Sequence, residues 1–322
     1  MKFAVIGTFW LCESMIKALL SIDGAEYYAQ YSRSLEKAKE FSKQFGNVKL
    51  FDDLNALAKD ESIDAVYIAS PNALHFEQAK LMLENGKHVL VEKPATTTEQ
   101  EFDELCKIAD SNGLVICEAM MNAHMPHLDG LKRIIENDSV VTARFDFCQR
   151  SSKISRVMAG EKGISTFSNA TFGGALADLG VYGLSLSVNL FGVPKNYRAN
   201  AHFIEQSDVD VSCNVILEYE NFDVVMSVSK LAESKIRSEI ICRNCNITFD
   251  NLSRLDNLKS YSLDNNAEQL SNITDFVEGF KLEIKDFIKY SENIKDAKYI
   301  FNRSVTKNTV KILSDIRTKV YK

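Results

Sequence analysis

Lys93 stands at the end of His88-Val89-Leu90-Val91-Glu92, directly before Pro94. An ammonium held at a strand end beside a proline can be aimed into a crevice. There it can hydrogen-bond a hydroxyl and stabilise a developing alkoxide. Two other strand ends carry polar residues, Gly7-Thr8 and Ser70-Pro71-Asn72. The chain has only four prolines, and two of them, Pro71 and Pro94, sit at these stops, where each fixes φ and removes a donor. Taken alone, the prolines could merely end strands and Lys93 could be a solvated lysine. Three such ends along one sheet describe the edge of a ligand crevice.

The elements that must position these residues begin at the N-terminus. Lys2 to Ile6 reads as a buried strand ended by Gly7, and Ser14 to Ile22 as a helix with Met15, Ile16, Leu19 and Leu20 on one face. Strand, glycine turn and helix open a dinucleotide-binding domain, whose fingerprint is G-x-G-x-x-G. Here only the first glycine is present, with Phe9 at the second position and Cys12 at the third. The second glycine normally lets backbone amides approach a pyrophosphate, so Phe9 is expected either to reshape the turn, to weaken or abolish cofactor binding, or to line an altered pocket. Strands alternate with helices through residue 118, which predicts a parallel doubly wound sheet. Beyond Pro126 the pattern changes. Ser151 to Phe172 is polar and poorly periodic, a long surface excursion with room for short helices; Gly174 to Leu190 is a helix; several strand-like runs from Tyr197 to Phe249 predict a largely antiparallel sheet. The last ~50 residues read as helical. The expected division is a dinucleotide-binding domain over 1–118 and an α+β substrate and dimerisation domain over 119–322.

Composition excludes several classes. The net charge of −6 provides no basic footprint for nucleic acid, and no Lys/Arg cluster suggests a membrane surface. No run approaches the ~20 apolar residues of a membrane span, and Phe3 to Ile6 is too short for a signal peptide. Seven scattered cysteines fit reduced thiols and a cytoplasmic location. Cys242-Arg243-Asn244-Cys245 is a lone C-x-x-C between two strand-like runs, expected to be a hairpin turn, with no second pair to complete a zinc site. His124 and His127 are expected to be packing or loop residues, so no metal is assigned.

Val89-Leu90-Val91-Glu92-Lys93-Pro94, Ser70-Pro71-Asn72-Ala73-Leu74-His75 and Ser32-Arg33-Ser34 together resemble the Gfo/Idh/MocA oxidoreductases. Gly173-Gly174-Ala175-Leu176-Ala177-Asp178-Leu179-Gly180-Val181-Tyr182 resembles that family's substrate-domain helix. The resemblance implies that Lys93 is the catalytic lysine, that the Lys-Pro bond is often cis, and that Asp178 and Tyr182 point at substrate. Tyr182 would serve as proton donor or acceptor and Asp178 would orient the reacting groups. Four residues apart on a helix, the two share a face. A phenol has a reference pKa near ~10, so a neighbouring ammonium would help Tyr182 act as a base.

Cofactor contacts are expected from Gly7, Thr8, Phe9, Ser32, Arg33, Ser70, Asn72, His75, Glu92 and Lys93. An acid at the end of the second strand would bind the ribose hydroxyls of NAD(H), whereas Arg33 between two serines suits the 2′-phosphate of NADP(H), which is favoured weakly. Arg33 could equally be solvated, and His75 could equally pack its helix. Glu118 matches a family position near the site or is structural. The expected activity is hydride transfer between nicotinamide and a secondary alcohol or ketone of a sugar, cyclitol or dihydrodiol-like substrate. The alternative is a non-catalytic ligand-binding or regulatory protein on the same fold. Homo-oligomerisation through the C-terminal sheet is expected from family habit.

Overall fold

The computed structural model describes residues 1–264, 266–271 and 275–321. The chain divides into two compact units, Met1–Ala119 with Asp275–Lys307, and Met120–Thr274 with Asn308–Lys322.

The first unit alternates β1 (Lys2–Ile6), α1 (Trp10–Leu19), β2 (Glu26–Tyr31), α2 (Leu35–Ser42), β3 (Lys49–Phe51), α3 (Leu54–Ala58), β4 (Ala65–Ile68), α4 (His75–Glu84), β5 (His88–Glu92), α5 (Glu99–Asn112) and β6 (Ile116–Ala119). The six strands are all parallel, in the order β3-β2-β1-β4-β5-β6. Strand order reverses between β1 and β4, which places a ligand crevice beyond their carboxyl ends. A parallel sheet must be covered on both faces. Ala4, Ile6, Val66, Ile68, Val89 and Val91 face a core shared with Ala79, Met82, Leu83, Phe102 and Leu105. Alternation sends Phe3 and Tyr67 to the opposite face, where they meet Phe287 and Phe280 at centroid separations of 5.9 and 6.5 Å.

The second unit contains α6 (Leu128–Glu136), β7 (Val140–Cys148), α7 (Ile154–Met158), α8 (Val181–Phe191), β8 (Asn196–His202), β9 (Ser212–Glu218), β10 (Asp223–Ser229), β11 (Ser238–Cys242), β12 (Cys245–Phe249), β13 (Lys259–Ser262) and β14 (Ala267–Gln269). Its eight strands run β14-β13-β12-β11-β7-β10-β9-β8, antiparallel throughout except for the parallel pair β7–β10. The chain then forms α9 (Phe276–Glu292), which carries Phe280 and Phe287, and α10 (Ala297–Val320).

The division into 1–118 and 119–322 therefore gives way to an interleaved one. Residues 275–307 return to the first unit because Phe280, Phe287 and the fully buried Ile284 supply the apolar cover that the Phe3/Tyr67 face requires. The excursion over residues 151–172 is more than surface loop. Ile154, Val157, Ile164 and Phe167 are buried with Val209 and Val211 in a small core of their own. The segment Asn169–Phe191 is long and apolar enough by composition to cross a membrane, contrary to the sequence expectation, but 78% of its most apolar window is buried inside the protein. Its apolar character serves the core of the second unit.

Candidate active site

The carboxyl edge of the parallel sheet assembles the residues of the first unit. Gly7 has φ +135, and a Cβ there would stand 2.8 Å from the Ala69 carbonyl oxygen and 2.8 Å from Cys12 Sγ. Only glycine fits. The small, fully buried Cys12 at the third fingerprint position is what lets α1 lie this close to the strand. Burial pushes its thiol up to about 12, so it behaves as an inert packing group.

Phe9, by contrast, has an ordinary extended backbone, φ −133 and ψ 173, which requires no glycine. The residue is 43% exposed, and it gives α1 no side-chain cap. The first amides of α1 therefore keep the donor capacity that suits an anion. Of the three outcomes open for Phe9, a backbone reshaped at that residue is not what the structure shows; the turn carries side chains at the second and third fingerprint positions, Phe9 and Cys12, with Phe9 in ordinary extended conformation. Trp10, next in line, is stacked edge-on against Phe276 of α9 at 5.6 Å.

Two buried polar side chains fix the edge. Gln30, fully buried in β2, donates from Nε2 to the carbonyls of Gly7 (2.7 Å) and Tyr31 (2.8 Å) and accepts from the Tyr27 hydroxyl (2.7 Å). His75, also fully buried, places Nδ1 2.9 Å from the Pro94 carbonyl and Nε2 2.9 Å from the Ser70 carbonyl. Burial holds its pKa below the ordinary imidazole range despite those two carbonyls. Of the two readings open for His75, the structure shows the packed one, in which the ring clamps the loop after β4 to the loop after β5. Ser70 Oγ donates to Gln78 of α4 (2.8 Å), and Asn72 opens the short turn leading into α4.

At the end of β5 the Tyr67 hydroxyl donates to Glu92 Oε1 (2.6 Å) and the Lys93 amide to Glu92 Oε2 (3.3 Å). The Lys93–Pro94 peptide is cis, as the resemblance implies. Lys93 is half-buried, Thr8 is exposed at the end of β1, and Ser32 is half-buried with exposed Arg33 at the end of β2. Behind this edge lie two more carboxyls. Glu118 accepts from the Ala95 amide (2.9 Å) and the Thr306 hydroxyl (3.0 Å), and burial lifts it to about 7. Glu283 of α9 is fully buried with neither oxygen hydrogen-bonded, and burial together with Glu92 and Glu118 pushes it well above the carboxylate range.

In the second unit the stretch from Gly173 to Tyr182 is held by the C-terminal turn. Gly174 has φ +115, and a Cβ would collide with Asp210 Oδ1 at 2.1 Å. Asp210, buried, accepts from the Leu176 amide (2.7 Å) and from the Tyr321 hydroxyl. Arg317 donates to the Gly173 carbonyl (2.6 Å) and lies over the Phe172 and Tyr321 rings at 4.1 and 4.2 Å. The chain then runs as a π-helical turn, Leu176–Gly180, before α8 begins.

Asp178 sits in that turn and accepts from Lys230 Nζ at 2.7 Å, an ion pair whose lysine side chain is 3% exposed. Lys230 also donates to the Thr166 carbonyl (3.0 Å) and lies 4.8 Å over the Phe167 ring. Tyr182 is half-buried, tilted against Phe147 at 5.6 Å, and its carbonyl accepts from Asn122 (3.3 Å). His124 and His127 are buried, with His127 Nε2 3.2 Å from the Arg254 carbonyl. The sequence reading missed Gln30, Glu283 and Lys230. Gln30 carries a signal, a glutamine inside an apolar strand; Lys230 and Glu283 carry none, because only tertiary contacts distinguish them from other lysines and glutamates.

Comparison with known proteins shows the family to which the two units correspond. A model of the Gfo/Idh/MocA oxidoreductase family, NAD-binding Rossmann fold, matches residues 1–120, and one for the Gfo/Idh/MocA C-terminal domain matches residues 139–248. The chain is 35% identical to the scyllo-inositol 2-dehydrogenase (NADP(+)) IolU of Bacillus subtilis, over 99% of this chain and 97% of that one. It is 27% identical to a trans-1,2-dihydrobenzene-1,2-diol dehydrogenase of Xenopus laevis, over 68% of this chain and 65% of that one. Among solved structures, the 3-ketoreductase KijD10 of Actinomadura kijaniata, in complex with NADP and TDP-benzene, superposes with a TM-score of 0.86 at 21% identity over 99% of this chain and 98% of that one. That last likeness is one of fold.

Proposed function

Because the chain belongs to the Gfo/Idh/MocA family of NAD-binding oxidoreductases, we propose that it interconverts a secondary alcohol and a ketone on a cyclitol or sugar-like substrate, with NADP(H) as cofactor. The observation that carries the reading is the edge itself. Gly7, Ser70 and Lys93 end adjacent parallel strands, and Gln30 and His75 hold their loops in place. An edge built for mere stability would not need two fully buried polar clamps.

The residues present fit the cofactor. Gly7 permits close backbone approach, α1 presents uncapped amides to a pyrophosphate, and Arg33 beside Ser32 suits a 2′-phosphate. Bound nicotinamide supplies the hydride acceptor or donor. Lys93 Nζ then hydrogen-bonds the reacting oxygen and stabilises its developing charge. By the family resemblance, proton transfer falls to Tyr182 and orientation of a substrate hydroxyl to Asp178, which pairs with Lys230. Support for the cyclitol class comes from the near-full-length likeness to a scyllo-inositol dehydrogenase, and for NADP(H) from that relative together with Arg33. The non-catalytic alternative has no observation in its favour.

Association of copies through the outer face of the second sheet, where Ile216, Val225 and Ile241 lie among Arg144, Arg198 and Glu239, is part of the proposal and is checked by light scattering. A cytoplasmic setting is proposed on the seven reduced cysteines. The central test is titration of the full chain with NADPH and NADH, followed by assay on inositols and their ketones. NADPH should bind more tightly, Arg33→Ala should erase most of the preference, and Lys93→Ala should lose roughly 10²–10⁴-fold in kcat while cofactor affinity and Tm hold. Failure of both cofactors to bind at millimolar concentration overturns the reading.

A further inference from the structure

The C-x-x-C is a hairpin turn, as expected, and a third group joins it. Pairing of Ile241 with Asn246 sets Cys242 opposite Cys245 across the β11–β12 turn. Asp138, in the connection from α6 to β7, brings a carboxylate to the two sulfurs, and the three ligand atoms all lie within 4.8 Å of one another. We propose that Asp138, Cys242 and Cys245 form a binding site for a thiophilic divalent cation of the zinc type, separate from the oxidoreductase site.

Several features beyond proximity favour this. Two cysteines flanking a two-residue hairpin turn supply half of a tetrahedral sulfur site, and the short turn fixes their spacing. Metal–sulfur and metal–oxygen bonds of about 2.3 and 2.0–2.2 Å require ligand atoms roughly 3.5–4 Å apart, so closure takes a side-chain rotation of about 1 Å. The carboxylate is already oriented: the Asn244 amide donates to Oδ2 (2.8 Å), while the Ser139 amide (2.7 Å) and Asn244 Nδ2 (3.0 Å) donate to Oδ1. Such outer hydrogen bonds are what hold a metal-ligating carboxylate. The Arg243 amide donates to the Ser139 carbonyl (2.9 Å), tying the turn to the segment that carries Asp138.

Asp138 and Cys245 also line a surface hollow with Arg133, Asn137 and Asn244, which leaves a fourth coordination position to water. Charge closes as well. Two thiolates and a carboxylate around a dication leave one net negative charge, and Arg133 brings one positive charge to the same hollow. Binding exchanges two thiol protons, released to solvent, for two metal–sulfur bonds, with no change of oxidation state. The cation would staple the hairpin of β11 and β12 to the entry of β7.

The test uses the full chain, reduced and anaerobic, titrated with cadmium as a spectroscopic probe and zinc as competitor. The thiolate-to-cadmium charge-transfer band should saturate at one equivalent and be displaced by zinc, and zinc should raise Tm reversibly on chelation. Cys242→Ser with Cys245→Ser should abolish the band while circular dichroism and NADPH binding persist. Asp138→Asn should weaken binding by at least about tenfold. An unchanged band in the double variant assigns the metal to other cysteines and overturns the proposal. So does an affinity unaffected by Asp138→Asn, or the absence of any stoichiometric binding.

Discussion

At the scale of single residues, the Asp178–Lys230 pair carries an asymmetry that the burial of its partners dictates. Lys230 is 3% exposed and Asp178 31%, so water reaches one charge and not the other. Removing the carboxylate strands a buried cation, whereas removing the cation strands a carboxylate that can still be hydrated. Asp178→Ala should therefore cost about 3–5 kcal/mol, and Lys230→Met roughly 1–3 kcal/mol, measured by urea unfolding. Equal losses, or the reverse order, would contradict the pairing. Lys230→Met should also lower kcat/KM on the substrate without altering NADPH affinity, because it acts through Asp178. Lys93 was legible from its strand end and proline neighbour, whereas Lys230 follows a strand like many other lysines and becomes distinctive only once Thr166, Phe167 and Asp178 surround it.

Elements show where the pattern of residues was a sufficient guide and where it was not. The central strands β1, β4 and β5 follow from short, largely apolar runs bounded by turn residues, because both of their faces are buried, whereas the edge strand β3 is only partly covered. The turn carrying Asp178 reads as ordinary helix, since a π-helical turn leaves no mark on hydrophobic spacing. What fixes that turn is steric. Gly174 is packed against Asp210, and the Gly173 carbonyl is held by Arg317 in the last turn of α10, a partner that a sequence separation of more than a hundred residues hides. Gly174→Ala meets both a carboxylate oxygen and an unfavourable φ, so a destabilisation of about 2–4 kcal/mol is expected, with loss of activity exceeding the loss of folded protein. Wild-type stability in that variant, by thermal unfolding, would disprove the clamp. His75 offers a parallel case. The sequence could place it at the crevice, but its double contact to the Ser70 and Pro94 carbonyls is a tertiary fact.

At the scale of the whole molecule, the first unit buries carboxyls that prefer to be neutral. Glu118 is raised from 4.5 to about 7 by burial, with Glu92 raising it further and Lys93 opposing; Glu283 is shifted in the same direction by burial, Glu92, Glu118 and Asp286. Between those values the unfolded chain has released the Glu118 proton and the folded chain has kept it. The stability contributed by the protonated group is thus complete below the unfolded pKa and is lost as pH rises to about 7. The expected fall for Glu118 alone is roughly 3 kcal/mol across that window. Urea unfolding at several pH values checks the slope, and Glu118→Gln should flatten it. A stability that rises over the same range would refute the assignment.

The return of α9 to the first sheet also bears on the order in which the protein can be made. The face bearing Phe3 and Tyr67 leaves the ribosome early, yet Phe280 and Phe287 follow more than two hundred residues later. At ordinary elongation rates of about 5–20 residues per second, that face waits on the order of 10–40 s for its cover. During this interval the nascent sheet exposes aromatic surface to solvent, which makes it a natural client for chaperones. A fragment ending at Ala119 should accordingly bind a hydrophobic dye and fail to unfold cooperatively, whereas joining residues 275–307 to it through a flexible linker should restore a cooperative transition.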